Sequence, residues 1–274
     1  MNILITNDDG YKAKGIRELV ETMRPYGHLT VVSPKKPQSG MSMAVTMGHK
    51  PIAVKKISSC ETEEWWYLDG TPASCVKFGI DNILWPQKPD LVISGINHGS
   101  NASTASIYSG TIGAAMEGAV NLIPAIGVSL DSYDQDADFS AVKEFLPGII
   151  DTLREHMQAK TGLFYNINFP SLPASEIKGV KLCHMGMGHW EKEYQDYHEF
   201  LQRTGRTPDE EARRYLDNIE EGEEVYVMAG DFISNDCNYE PADHLELEKG
   251  WITITPENIN NTDFEELDRL CGII

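Results

Sequence analysis

The chain is 274 residues long, enough for one large α/β domain and an appendage, and its 41% hydrophobic and 9% aromatic content excludes disordered and fibrous classes. With 42 acidic against 23 basic residues the formal net charge is −19, which disfavours nucleic-acid polymers and anionic membranes as main partners but leaves room for a small anion at a local cationic site. Five cysteines, Cys60, Cys75, Cys183, Cys237 and Cys271, are odd in number and scattered without a C-x-x-C pair, which points away from zinc or thiol redox chemistry and toward a reducing compartment.

No apolar run approaches the ~18 residues of a membrane span, and the first residues lack a signal-peptide pattern. A soluble, cytoplasmic protein is expected. In chain order, short continuous apolar runs at 3–6, 29–33, 91–94, 125–130 and 164–169 predict buried parallel strands. Helical spacing separates them. Ile16, Leu19, Val20 and Met23 form one apolar stripe, Thr71-Pro72 reads as an N-cap with proline at the first helical position, and Val142, Phe145, Leu146, Ile149 and Leu153 follow a Ser140 cap, with a kink expected at Pro147. This alternation predicts a Rossmann-like, doubly wound and mostly parallel sheet, whose ligands lie beyond the carboxyl ends of its strands.

The remainder is different in character. Residues 188–223 are charged and poorly patterned, predicting one or two exposed helices, and strand-like segments follow at 225–230 and 251–256, the second alternating like a half-exposed antiparallel strand. The expected division is a catalytic core at 1–187 and a C-terminal extension at 188–274, belonging to the same domain or serving as an assembly arm.

Four segments sit where strand ends would meet a ligand: Asn7-Asp8-Asp9-Gly10, residues 33–40, residues 95–99, and Tyr108-Ser109-Gly110-Thr111. Ser109, Gly110 and Thr111 precede a small-residue helix, giving either an anion site built from N–H groups and hydroxyls or a plain N-cap with glycine for close packing. Asp8 and Asp9 form either a solvated turn or half of a site. Two unit charges 4 Å apart at an effective dielectric near 20 interact by about 4 kcal/mol, so an acidic pair sharing a sheet edge with a phosphate needs a cation between them. Carboxylates, a hydroxyl such as Ser39 and an amide oxygen such as Asn97 are hard ligands suited to Mg²⁺ or Mn²⁺. Gly10 eases the turn that would let adjacent carboxylates share one ion. His98 is a candidate acid or base, or a hydrogen-bonding residue; Lys35 and Lys36 are surface charge or anion attractors; Trp65 and Trp66 read as packing.

Seven segments in order, ILITNDDGYKAKGI (3–16), VVSPKKPQSGMS (31–42), LDGTPASCVKFG (68–79), KPDLVISGINHGSN (88–101), IYSGTIGAAMEGA (107–119), IPAIGVSL (123–130) and NINFP (166–170), resemble the survival protein E (SurE) family of metal-dependent nucleotidases. PADHLELEKGWITITP (241–256) is a weaker echo of that family's late aspartate, glycine and strand. The resemblance implies a Rossmann-like core, a C-terminal extension exchanged between subunits of a homodimer or homotetramer, and hydrolysis of nucleoside 5′-monophosphates, with 3′-monophosphates as further candidates. It implies one divalent cation per subunit, Mg²⁺ or Mn²⁺, on Asp8, Asp9, Ser39 and Asn97. Catalysis then falls to Asp8 and Asp9, and substrate binding to Ser109, Gly110 and Thr111 with Gly40 and Asn97 nearby. Pro37 and Ser103-Thr104-Ala105 depart from the family pattern at the pocket rim. Two alternatives are a haloacid-dehalogenase-like phosphatase, which expects its aspartates separated by one residue, and a nucleotide-binding module without hydrolysis, for which G-x-G-x-x-G is missing.

Overall fold

A computed structural model describes every residue except 50, 135, 158–159, 237–240 and 274, with the side chain of residue 211 also outside the description. The chain forms two compact units, Met1–Gly186 together with the returning C-terminal segment, and a smaller one within Met187–Asn238. Residues 188–274, expected as one extension, are thus divided between them.

In the first unit the strands are β1 (Asn2–Thr6), β2 (His28–Pro34), β3 (Val54–Ser59), β4 (Glu63–Leu68), β5 (Leu91–His98), β6 (Ala125–Leu130), β7 (Leu163–Phe169) and β8 (Val180–Leu182), with helices α1 (Lys14–Met23), α2 (Pro72–Phe78), α3 (Ala105–Tyr108), α4 (Gly110–Val120) and α5 (Ser140–His156) between them. The second unit contains β9 (Gly188–Glu191), β10 (Tyr194–Asp196), α6 (Tyr197–Thr204), α7 (Glu210–Leu216), β11 (Tyr226–Met228) and β12 (Asp231–Ser234). The chain then returns through α8 (Asp243–Glu248), β13 (Ile252–Asn258) and α9 (Phe264–Cys271). Among the described residues the central sheet runs β3-β4-β2-β1-β5-β6-β7-β13-β8, and every pair is parallel except β3/β4 and β7/β13.

The continuous apolar runs arise because helices cover both faces of the sheet. Ile3 and Ile5 point into a cluster with Ile16, Leu19, Met23, Val142 and Leu146, whereas Leu4, between them, joins Val76, Ile112 and Ala115 on the other side. Each of these isoleucines and leucines is fully buried, contributing about 2 kcal/mol by removal from water. Thr71 caps α2 as expected, accepting from Ser74 N at 3.3 Å.

Three expectations are corrected. Helix α5 begins at Ser140 itself, so the N-cap position falls to Phe139, with Asp138 just before it accepting from Ser140 N at 2.8 Å. Pro147 lies inside this helix, at the position where a kink is expected, and its carbonyl accepts the Tyr26 hydroxyl at 2.9 Å. β13 is not half-exposed: because it lies between β7 and β8, Ile252 to Thr255 are buried on both faces, threonines included. The third concerns β5, which extends four residues past Ser94 and carries Asn97 and His98 within the strand.

In the second unit β9 pairs with β12 and β10 with β11, both antiparallel, and Trp190 packs edge-on against Phe232 with ring centroids 5.0 Å apart. Both helices carry aspartate caps, Asp196 accepting from Glu199 N at 2.9 Å and Asp209 from Ala212 N at 2.8 Å. No described helix is long and apolar enough to cross a membrane.

Candidate active site at the carboxyl edge of the sheet

The turn after β1 is held from inside. Buried Asn7 donates through Nδ2 to Gly10 O at 3.1 Å and accepts the Ser33 hydroxyl on Oδ1 at 2.5 Å. Gly10 has φ +92°, a region that L side chains rarely adopt, which allows the chain to turn immediately after the two carboxylates. The following loop is tied to this turn by Gln38 N donating to Asp8 O at 2.7 Å and Tyr11 N to Pro34 O at 3.0 Å. Ser39 and Gly40 come next and are exposed.

Asp8 is only 4% exposed. Its Oδ1 accepts the Thr111 hydroxyl at 2.6 Å, and the Thr111 main-chain N–H also acts on it, so the first turn of α4 meets a carboxylate. Burial pushes the Asp8 carboxyl up to about 6, neighbouring Asp9 adds to the rise, and the bonds from Thr111 oppose it. The contact demands small residues. A Cβ on Gly110 would lie 2.9 Å from Asp8 Cβ, and one on Gly113 would lie 1.9 Å from Ser42 O. Ser109 is the N-cap of α4, accepting from Ile112 N at 3.2 Å. The oxygen of Ser109 and the proton of Thr111 are thus engaged within the protein.

Asn97 reaches this edge through an irregularity in β5. Ser94 pairs with Gly127 and Asn97 with Ser129, so β5 spends one residue more than β6 across that step. The extra residue returns Asn97 to the face that Ser94 occupies, where an unbroken strand would have turned it away. Its Nδ2 donates to Gly99 O at 2.8 Å, leaving Oδ1 as the atom for a ligand. Half-buried Asp9 accepts on Oδ2 from His98 N at 3.3 Å and is 3.1 Å from His98 Nδ1. Lys35 and Lys36 are exposed, and Trp65 and Trp66 are half-buried in β4.

Between Asn97 and Ser109 the chain is anchored to the distant C-terminal segment by a buried polar network that no short motif reveals. Asn101 N donates to Asn168 Oδ1, Asn101 Nδ2 to Ser129 Oγ and Asn166 Nδ2 to Asn101 O, each at 2.8 Å. Ser103 N donates to both oxygens of Asp243 at 3.0 Å. Glu257 accepts from Asn166 at 2.8 Å and from Ser106 at 3.2 Å. The alternating asparagines of NINFP were the available signal, since an asparagine in a buried strand needs partners.

Burial raises the Glu257 carboxyl to about 7, with Asp243 adding to the rise and the bonds from Asn166 and Ser106 opposing it. An acid raised in the folded state lends stability that is complete below its unfolded value, near 4.5, and is lost as pH climbs through 7. Allowing for partial exposure, the loss is about 2 kcal/mol between pH 5 and 8. Glu257→Gln keeps an oxygen for Asn166 and removes the titration. Urea denaturation across this range should show a shallower pH slope for the variant, and parallel slopes would contradict the burial argument.

The sequence profile of the family described as survival protein SurE matches residues 3–192. A 5′-nucleotidase SurE of Christiangramia forsetii is 38% identical over 261 residues, 95% of this chain and 92% of that protein. The chain belongs to the SurE family. A second SurE 5′-nucleotidase, from Flavobacterium johnsoniae, is 37% identical over 98% of this chain and 95% of its own length. The crystal structure of the SurE protein from Aquifex aeolicus has a TM-score of 0.77 at 27% identity, covering 100% of this chain and 99% of that one. The similarity to SurE proteins therefore spans both units.

Proposed function

We propose that this chain is a divalent-metal-dependent phosphomonoesterase that hydrolyses nucleoside 5′-monophosphates to nucleoside and phosphate, with 3′-monophosphates as further substrates. The observation that carries this reading is the buried Asp8 carboxylate held against the start of α4 beside Asp9, in a chain of the SurE family. Two adjacent acids in this setting repel each other, and a cation relieves both the repulsion and the burial. Among the described residues no group of three or more His, Cys, Asp or Glu is arranged to hold a metal. A cation here would draw on two carboxylates and neutral oxygens, a donor set suited to Mg²⁺ or Mn²⁺.

Asp8, Asp9, Ser39 and Asn97 would hold one such ion per subunit. When bound, it supplies charge neutralisation and a water of lowered pKa. Asp8 or Asp9 would accept a proton from the attacking water. The Ser109 hydroxyl proton and the main-chain N–H groups of Gly40 and Gly110 are the donors for phosphate oxygens, while Thr111 keeps Asp8 in place. Lys35 and Lys36 draw the anionic substrate toward an otherwise acidic molecule.

Assembly as a homodimer or homotetramer is supported by α9, which buries none of its residues and leaves Phe264 and Leu267 exposed. Cys60, Cys75, Cys183 and Cys271 are free, which supports a reducing cytoplasmic setting. A panel of nucleoside 5′- and 3′-monophosphates, assayed for phosphate release with Mg²⁺ or Mn²⁺, tests the reaction class and the substrate together. Release from 5′-monophosphates is expected; nucleotide binding without release from any member would overturn the proposal.

A further inference from the structure

We infer that His98 is a positioning residue for Asp9, fixing one carboxylate oxygen through Nδ1–H so that the other is presented to the cation. The inference rests on the function proposed above. Its geometry is independent of that function. Asp9 Oδ2 receives the His98 main-chain N–H at 3.3 Å and lies 3.1 Å from Nδ1, so two donors from one residue converge on the same oxygen. Asp9 follows a strand on a turn where its side-chain torsions would otherwise be free, and a carboxylate held this way loses little entropy on taking up an ion.

The ring itself is held on three sides. It grows from β5 past the register shift, meets Phe139 edge-on with centroids 5.3 Å apart and planes at 88°, and lies beside Gly15 of α1, where an added Cβ would come within 3.5 Å of the ring. His98 Nε2 is buried and has no hydrogen-bond partner among the described residues. A buried polar atom without a partner is unfavourable, and an apolar ring would fill this space against Phe139 without that cost. What the imidazole adds is the Nδ1–H bond to Asp9. The tautomer that makes it leaves Nε2 as a bare acceptor, whereas the other would set the Nδ1 lone pair against the Asp9 carboxylate. With Nε2 buried, His98 meets the site through Asp9, which makes the role inferred here one of positioning.

Isothermal titration of the chelator-stripped protein with Mn²⁺ tests the inference alongside ¹⁵N NMR of the imidazole in the same metal-free sample. His98→Phe keeps the ring packing and removes the donor, while His98→Asn places an amide N–H near the position of Nδ1. The phenylalanine variant should bind Mn²⁺ about 10-fold more weakly, the low end for a lost ligand-orienting bond because the main-chain N–H remains. The asparagine variant should recover to within about threefold of wild type. NMR should find the proton on Nδ1. Unchanged Mn²⁺ affinity in His98→Phe, no recovery in His98→Asn, or a proton on Nε2 alone would each overturn the inference. Failure of the wild-type protein to bind Mn²⁺ would instead strike the proposed function, with the NMR result still deciding the His98–Asp9 bond.

Discussion

Asp8→Asn should lower kcat/KM for phosphate release from a nucleoside 5′-monophosphate by about 10³-fold, equivalent to ~4 kcal/mol of transition-state stabilisation. The substitution removes one of two carboxylates available to a cation and leaves a neutral amide that can still accept the Thr111 hydroxyl at the start of α4. It should not unfold the protein. Asp8 is buried next to another acid, and its charge opposes folding in the metal-free state, so thermal unfolding of the stripped variant is expected at or above the wild-type temperature. Added Mn²⁺ should then raise the melting temperature of the wild type and not that of the variant. Activity within tenfold of wild type would remove Asp8 from the proposed chemistry.

Asp243→Ala should destabilise the protein by about 4 kcal/mol, through an independent mechanism. Asp243 is fully buried on α8 and accepts the main-chain N–H groups of Ser103 at 3.0 Å, Gly186 at 2.9 Å and His244 at 2.8 Å. Alanine strands the Ser103 and Gly186 donors in the interior, each at about 1–3 kcal/mol before relaxation or an entering water recovers part of the cost. Ser103 has φ +58°, a conformation unfavourable for serine that this anchor helps to impose. Its loss should loosen the segment that connects Asn97 to Ser109, so activity should fall with stability. A change below 1 kcal/mol in urea denaturation would mean that the network does not hold this segment.

Legibility in the sequence followed physical signal. Strands covered on both faces announced themselves, as in Ile3, Leu4 and Ile5, because a short run without a polar residue has no face to turn to water. β3, VKKISS, lies at the sheet edge with most of its residues exposed and offered no hydrophobic pattern. β13 misled because Thr253 and Thr255 alternate with isoleucines like a solvated face, yet both are buried. Gly95-Ile96-Asn97 read as a loop, but β5 absorbs an extra residue there and continues.

At the candidate site Asp8, Asp9, Ser39 and Asn97 stood out as short motifs at strand ends. Their supports did not. Asn7 is locked by Ser33, which is 26 residues away in sequence, and the segment before Ser109 is anchored by Asp243, 140 residues from Ser103. His98 could be seen as interesting next to Asn97, but its partner Asp9 lies 89 residues earlier and only the fold joins them. Motifs expose groups that act on a ligand; residues that orient those groups are recruited from wherever the topology places them.

The most direct test of the central claim follows phosphate release from a nucleoside 5′-monophosphate as metal is removed and restored. Protein stripped with chelator should lose activity and recover it when Mg²⁺ or Mn²⁺ is returned, while Asp8→Asn should stay inactive under the same restoration. Full activity in the presence of chelator, with no bound metal remaining, would contradict the account.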